Sequence, residues 1–204
     1  MKLNEYPLSA ICSRLSSGRS IKSNMIVPTG KYPVYGGNGV RGFTDNSNFS
    51  GDCVIIGRQG AMCGNVRYFV GDAYMTEHAV VACGNELADT RYLYYLLSTL
   101  NLGRLSAQSA QPGLSVKTIS KQIVKIPDIK AQYSISSFLG SLDDKIEINK
   151  KIIKNLESSM VSLFNERCAK ASGKKHRYRK LRVSLMALPC KNFHLNQEKP
   201  LFQC

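Results

Sequence analysis

Residues 134–164 read SISSFLGSLDDKIEINKKIIKNLESSMVSLF. Along them Ile135, Leu139, Leu142, Ile146, Asn149, Ile153, Leu156, Met160 and Leu163 recur in alternating steps of four and three. Those steps keep every member on one face of a helix, so the stripe has the pattern of a coiled-coil seam with a single polar entry. Asp143, Asp144, Lys145, Glu147, Lys150, Lys151 and Lys154 occupy the polar face, and no Gly or Pro follows Gly140 within the stretch. At about 1.5 Å per residue the stripe runs roughly 42 Å, too long to be covered by a small domain beside it. A partner helix is expected, and because the chain has no second stripe of this kind, the partner is expected to be another chain.

Asn149 has four apolar seam positions on either side. In an antiparallel pair with a two-fold axis through that midpoint, Asn149 meets its own copy, and two facing amides fix the register. The alternative is a half-exposed polar residue with no special role.

Working outward, 204 residues allow one domain plus an extended element. No apolar run of about 18 residues and no signal-peptide pattern is visible, so the expectation is a cytoplasmic protein with no membrane association. The seven cysteines are odd in number with no C-x-x-C pair, and the three histidines share no ligand spacing with them. They read as reduced thiols, with no metal site. The net charge of +14 points to a polyanionic partner, nucleic acid before membrane. Residues 172–204 carry eight Lys or Arg against one acid, but the rest of the chain is basic without them.

The first 127 residues read as strands interleaved with a few helices, an α+β domain over 1–127, followed by a long helix over 128–167 and a basic tail over 168–204. Tyr6 to Leu15 reads as an entry strand or short helix, and Tyr32 to Tyr35 as a short extended run. Gly36 to Asp45 is rich in turn residues. Cys53–Gly57, Asn65–Val70, Ala79–Ala82 and Ile123–Pro127 read as strands, with Gly71-Asp72 expected to end the second. Thr90 to Thr99 is an amphipathic helix capped by Asp89 or Thr90, and Val116 to Lys121 one helical turn. The tail, with Gly173-Lys174-Lys175-His176-Arg177-Tyr178-Arg179-Lys180, has three readings: a solvated or disordered segment, a nucleic-acid arm, or out-of-frame translation after a lesion in a longer gene.

Gly37-x-Gly39-x-x-Gly42 matches the dinucleotide fingerprint, but Phe43 to Asn48 favours turns where that mechanism needs a helix amino terminus. No cofactor is expected. No P-loop, zincin, hydrolase elbow or amino-methyltransferase motif is present, and Thr76-Glu77-His78 reads as structural before catalytic. No catalytic residue is therefore assigned.

The order of segments Tyr32-Pro33-Val34-Tyr35-Gly36-Gly37-Asn38-Gly39, Ile56-Gly57-Arg58-Gln59-Gly60, Gly64-Asn65-Val66, Thr76-Glu77-His78-Ala79 and Ser141 to Lys151 resembles the specificity subunit of type I restriction–modification systems. The resemblance spans about residues 3–165. It implies a non-catalytic recognition domain that reads one half of a bipartite double-stranded DNA target, and a helix that spaces it from a second such domain. It further implies docking of the type I methyltransferase (M) and restriction (R) subunits. Family members usually carry two recognition domains and two helices, whereas this chain has one of each. Two chains pairing through antiparallel helices would rebuild the subunit as a homodimer reading inverted copies of one half-site. The rival is a truncated fragment acting only as a coiled-coil interaction protein.

Base reading needs donor and acceptor side chains on loops that enter a groove. The candidates are Asn38 and Arg41 in the glycine-rich segment, Arg58 and Gln59 after the central strand, and Gln108, Ser109 and Gln111 in the polar loop. Arg58 is open to two readings, a bidentate guanine contact or a structural contact at a strand end.

Overall fold

The computed structural model describes residues 2–60, 62–106 and 113–171. In chain order the elements are β1 (Asn4–Pro7), β2 (Cys12–Ser17), β3 (Tyr32–Gly36), β4 (Gly39–Thr44), β5 (Phe49–Gly57), β6 (Val66–Met75), β7 (Ala79–Gly84), α1 (Thr90–Thr99), α2 (Val116–Ser120), β8 (Ile123–Ile126) and α3 (Ile129–Ala171). The chain divides into two compact units, Met1–Glu147 and Ile148–Cys204. This is the mixed α+β architecture with a long carboxy-terminal helix that the sequence predicts.

The first unit is built on a six-stranded sheet in the order β2-β7-β5-β6-β3-β4, antiparallel except where β3 runs parallel to β6. Alternation along β5 and β7 sends Val54, Ile56, Val80 and Ala82 to one face and Cys53, Ile55, Ala79 and Val81 to the other. Both faces are buried, which is why Cys53 to Ile56 reads as an unbroken apolar run. The first face packs against Tyr92, Leu93 and Leu97 of α1, Ile119 of α2, and Val124 and Ile126 of β8. On the second face Phe49, Ala73 and Met75, from the far end of the β5–β6 ribbon, join Ile55, Ala79 and Val81, so the sheet curls around them. Within this ribbon Gly51 and Gly71 pair directly opposite each other with φ of 120° and 126°. Only glycine takes that backbone without strain.

Three expectations change here. Gly71-Asp72 does not end β6, and the strand runs on to Met75. The turn-rich segment contracts to Gly37 and Asn38, because Gly36 pairs with Gly39 and β4 begins at once. Tyr6 to Leu15 is neither one strand nor one helix. A 3₁₀ turn at Leu8–Ala10 separates β1, which pairs with β8, from β2, which pairs with β7.

Helix starts follow local chemistry. The Asp89 carboxylate accepts from the Tyr92 amide at 2.8 Å, and the Asp128 carboxylate accepts from the Ala131 amide at 3.0 Å. Gln132, fully buried in the first turns of α3, ties the two starts together. Its Oε1 accepts from the Asp89 amide at 3.0 Å, and its Nε2 donates to the Leu87 and Pro127 carbonyls, each at 2.9 Å. Further along, the Tyr95 hydroxyl donates to Asp143 at 2.6 Å. Arg91 donates to the Gly140 carbonyl and to Asp144, both at 3.2 Å. A side chain at Gly140 would run into the Arg91 guanidinium.

In the second unit α3 presents Ile148, Ile152, Ile153, Leu156, Met160, Val161, Leu163 and Phe164, each between 44% and 70% exposed. In the first unit Ile135 leans on the core, Leu139 is half-buried, and Leu142 and Ile146 are exposed. The helix is longer than the stripe, beginning at Ile129 and spanning 43 residues.

Candidate nucleic-acid interface

Four of the seven loop residues singled out above lie among the described residues, and the fold brings them to one end of the sheet. Asn38 sits at the apex of the β3–β4 turn, and Arg41 two residues into β4. Arg58 and Gln59 leave the end of β5 beside them. The two segments meet backbone to backbone: a Cβ on Gly57 would lie 2.1 Å from the Gly37 carbonyl oxygen, and one on Gly37 would lie 2.9 Å from the His78 carbonyl oxygen. Neither position admits a side chain. The Arg58 amide donates to the His78 carbonyl at 3.1 Å, and the Gly57 amide donates to the Asn65 carbonyl at 2.9 Å. Gln108, Ser109 and Gln111 fall outside the described residues. Just beyond them, Gly113 bridges to Gln59, and the Leu114 amide donates to the Arg58 carbonyl at 2.8 Å.

The side chains differ in how they are engaged. The Arg58 guanidinium turns inward, its Nη1 donating to the Ser17 hydroxyl at 3.1 Å and to the Glu77 carbonyl at 3.3 Å. Its Nε is buried without a hydrogen-bond partner among the described residues. Asn38, Arg41 and Gln59 are exposed. Arg41 is the extra residue of a bulge, since Val34 opposes Gly42 and Tyr35 opposes Val40, and its stem crosses the open face of Gly36.

Arg67, on β6, joins this set although nothing in its sequence surroundings marks it. Its guanidinium lies against Gly39, and its Nη2 donates to the Asn38 carbonyl at 3.5 Å. Burial pushes the Tyr35 hydroxyl above its ordinary range, and the same cation offsets only part of that rise. Only the pairing of β5 with β6 brings position 67 to the turn at 37–39.

His78 lies 3.5 Å from the Glu77 carboxylate in the turn between β6 and β7. Among the described residues no three His, Cys, Asp or Glu side chains gather as a metal site would require, and Cys12, Cys53, Cys63, Cys83 and Cys168 are free. Burial pushes the Cys53 thiol up to about 12, so it remains protonated at neutral pH. The Gly37-x-Gly39-x-x-Gly42 segment is the β3–β4 hairpin, and β4 follows where a dinucleotide fold would open a helix. No helix among the described residues is long and apolar enough to cross a membrane.

The chain is an α+β domain with polar loops gathered at one end, continued by a long helix with apolar side chains in the open. The family model described as the type I restriction modification DNA specificity domain matches residues 2–158, and the chain belongs to that family. The EcoprrI type I restriction enzyme specificity subunit of Escherichia coli is 34% identical over 134 residues, covering 64% of this chain and 33% of that protein. Among solved structures, the type I S subunit from M. genitalium superposes with a TM-score of 0.65 at 18% identity over 72% of this chain and 40% of its own. A chain from a structure concerned with complex assembly and conformational transition of the type I R-M system gives 0.58 at 14% identity, over 79% and 43%. The chain thus spans about a third of the curated relative, and the structural likenesses establish the fold.

Proposed function

We propose that this chain is a non-catalytic DNA-recognition subunit of a type I restriction–modification system. It reads one half of a bipartite target and, as an antiparallel homodimer through α3, scaffolds methyltransferase and restriction subunits. One observation carries the reading: Asn38, Arg41 and Gln59 are exposed together at one end of a domain whose family is defined by DNA specificity. The exposed seam from Leu142 to Leu163 supports the pairing, since a second copy would cover it.

Size-exclusion chromatography with light scattering, on the protein alone and mixed with a type I methyltransferase subunit from the same source, tests the assembly. A dimer that retains the methyltransferase subunit is expected. A monomer that retains nothing sinks the scaffold reading. A second reading is favoured by the apolar exposure of Ile148 to Phe164, that of a coiled-coil interaction protein without sequence preference. It predicts a dimer whose affinity for every duplex falls alike with salt.

A further inference from the structure

We infer that Arg67, not Arg58, is the arginine that reads bases at this end of the fold, acting with Asn38 along the β3–β4 turn placed in the major groove. The inference rests on the DNA-recognition reading above and assigns its specificity-determining side chains.

Arg58 is committed elsewhere. One nitrogen is shared between Ser17 and the Glu77 carbonyl, 41 and 19 residues away in sequence, and the Nε edge is buried. A bidentate grip on guanine needs two adjacent guanidinium N–H groups facing the same way outward. Arg58 instead holds the end of β2, the turn before β7 and the end of β5 together behind the interface. Its role is structural, and it makes no base contact.

Arg67 has the opposite character. It is exposed, and the bond of its Nη2 to the Asn38 carbonyl, at 3.5 Å, sits at the outer limit of a hydrogen bond. A guanidinium has five N–H donors, so most of the fork remains for a ligand. The group lies against the open face of Gly39, whose φ of 108° only glycine accepts readily, so the backbone there leaves room for the guanidinium. Asn38, whose carbonyl accepts that bond, is the exposed residue at the apex of the turn. On the other strand of the turn Arg41 lies across Gly36, the cross-strand partner of Gly39, so two cations flank the apex. Val40 between them is an apolar side chain 52% exposed.

Size decides the groove. Two strands lie about 4.8 Å apart, and with side chains they fit a major groove about 12 Å wide and not a minor groove of about 6 Å. In the major groove Arg meets guanine O6 and N7, Asn meets adenine N6 and N7, and an exposed Val suits a thymine methyl. Arg41, at the flank, meets a phosphate. The turn cannot retreat on contact, because the Gly37–Gly57 backbone packing and the Thr76 amide donating to the Tyr35 carbonyl at 3.0 Å hold it from behind. It is organised before DNA arrives.

The test uses the full chain and a pool of duplex oligonucleotides with a randomised core, sequencing the bound fraction. Wild type should recover a sequence motif. Arg67→Ala should lose about five- to 150-fold of discrimination at one base pair and keep the rest of the motif. Arg67→Lys should fail to restore it, because an ammonium keeps charge but not the fork. Arg58→Ala should lower the melting temperature while leaving the motif of the folded fraction intact. If Arg67→Ala weakens all duplexes alike and Arg67→Lys repairs it, Arg67 is a phosphate contact and the inference is wrong. A motif relaxed by Arg58→Ala with melting unchanged overturns it equally. Were the wild-type chain to recover no motif at all, the DNA-recognition reading would fall first and take this inference with it.

Discussion

At the scale of single residues, the most consequential side chain in the recognition unit is one that sequence patterns discount. Gln132 is polar at a helix start, yet it is fully buried with three hydrogen bonds to backbone groups of two segments, Leu87 and Asp89 before α1 and Pro127 before α3. Truncating it leaves an amide and two carbonyls without these partners, one of them at a buried bond. Gln132→Ala is therefore expected to cost about 3 kcal/mol, seen as a lower urea midpoint with an unchanged slope. A cost under about 1 kcal/mol would mean that water reaches the site. Arg58 and Arg67 make the complementary point. Both follow the same rule of residue type, but one guanidinium is spent on Ser17 and Glu77 and the other is held at the surface against Gly39.

At the scale of elements, α1 is clamped to α3 beyond its third turn by Arg91 and Tyr95, which reach Gly140, Asp143 and Asp144. Burial, then the bond to Asp143, pushes the Tyr95 hydroxyl up to about 12. An unfolded tyrosine ionises near pH 10. A group raised in the folded state stabilises it fully below the unfolded value and loses that contribution as pH climbs from about 10 towards 12. Urea unfolding across that range should show falling stability. Tyr95→Phe should remove about 1 kcal/mol at neutral pH and flatten the alkaline decline. Part of the slope will remain, since burial also raises Tyr68, Tyr92 and Tyr94. An identical pH profile in the variant would show that the clamp does not contribute.

At the scale of the whole molecule, the exposed seam is the feature that a single chain leaves unresolved. Leu142, Ile146, Ile153, Leu156, Met160 and Leu163 are all at least 41% exposed, with Asn149 among them. On the homodimer proposed above, Asn149→Leu removes the one polar pair that fixes the register. The pair should persist while its order of association rises or its register loosens, as read by light scattering and by cross-linking of cysteines introduced along the seam. An assembly unchanged in both would deny Asn149 any part in register. The two apolar sets that flank the seam, Ile148 with Ile152 and Val161 with Phe164, widen the exposed face beyond the strict a and d positions of a two-stranded coil.

Periodicity and turn chemistry determined much of this protein from the sequence by itself. The seam steps fixed α3, Asp89 and the Tyr92-Leu93-Leu96-Leu97 spacing fixed α1, and the apolar run at Cys53 to Ile56 fixed the central strand, because each signal lies within a few residues of what it specifies. The clustering of Asn38, Arg41, Arg58 and Gln59 was legible as a list of loop residues, but not as a place. Gly71 read as a strand end, and only its cross-strand pairing with Gly51 shows that β6 runs through it. Arg67 reaches Asn38, and Arg58 reaches Ser17, through strand pairings that join positions 29 and 41 residues apart. Which arginine faces inward and which outward was decided by tertiary structure alone, because side-chain commitment depends on neighbours that the chain supplies only once it has folded.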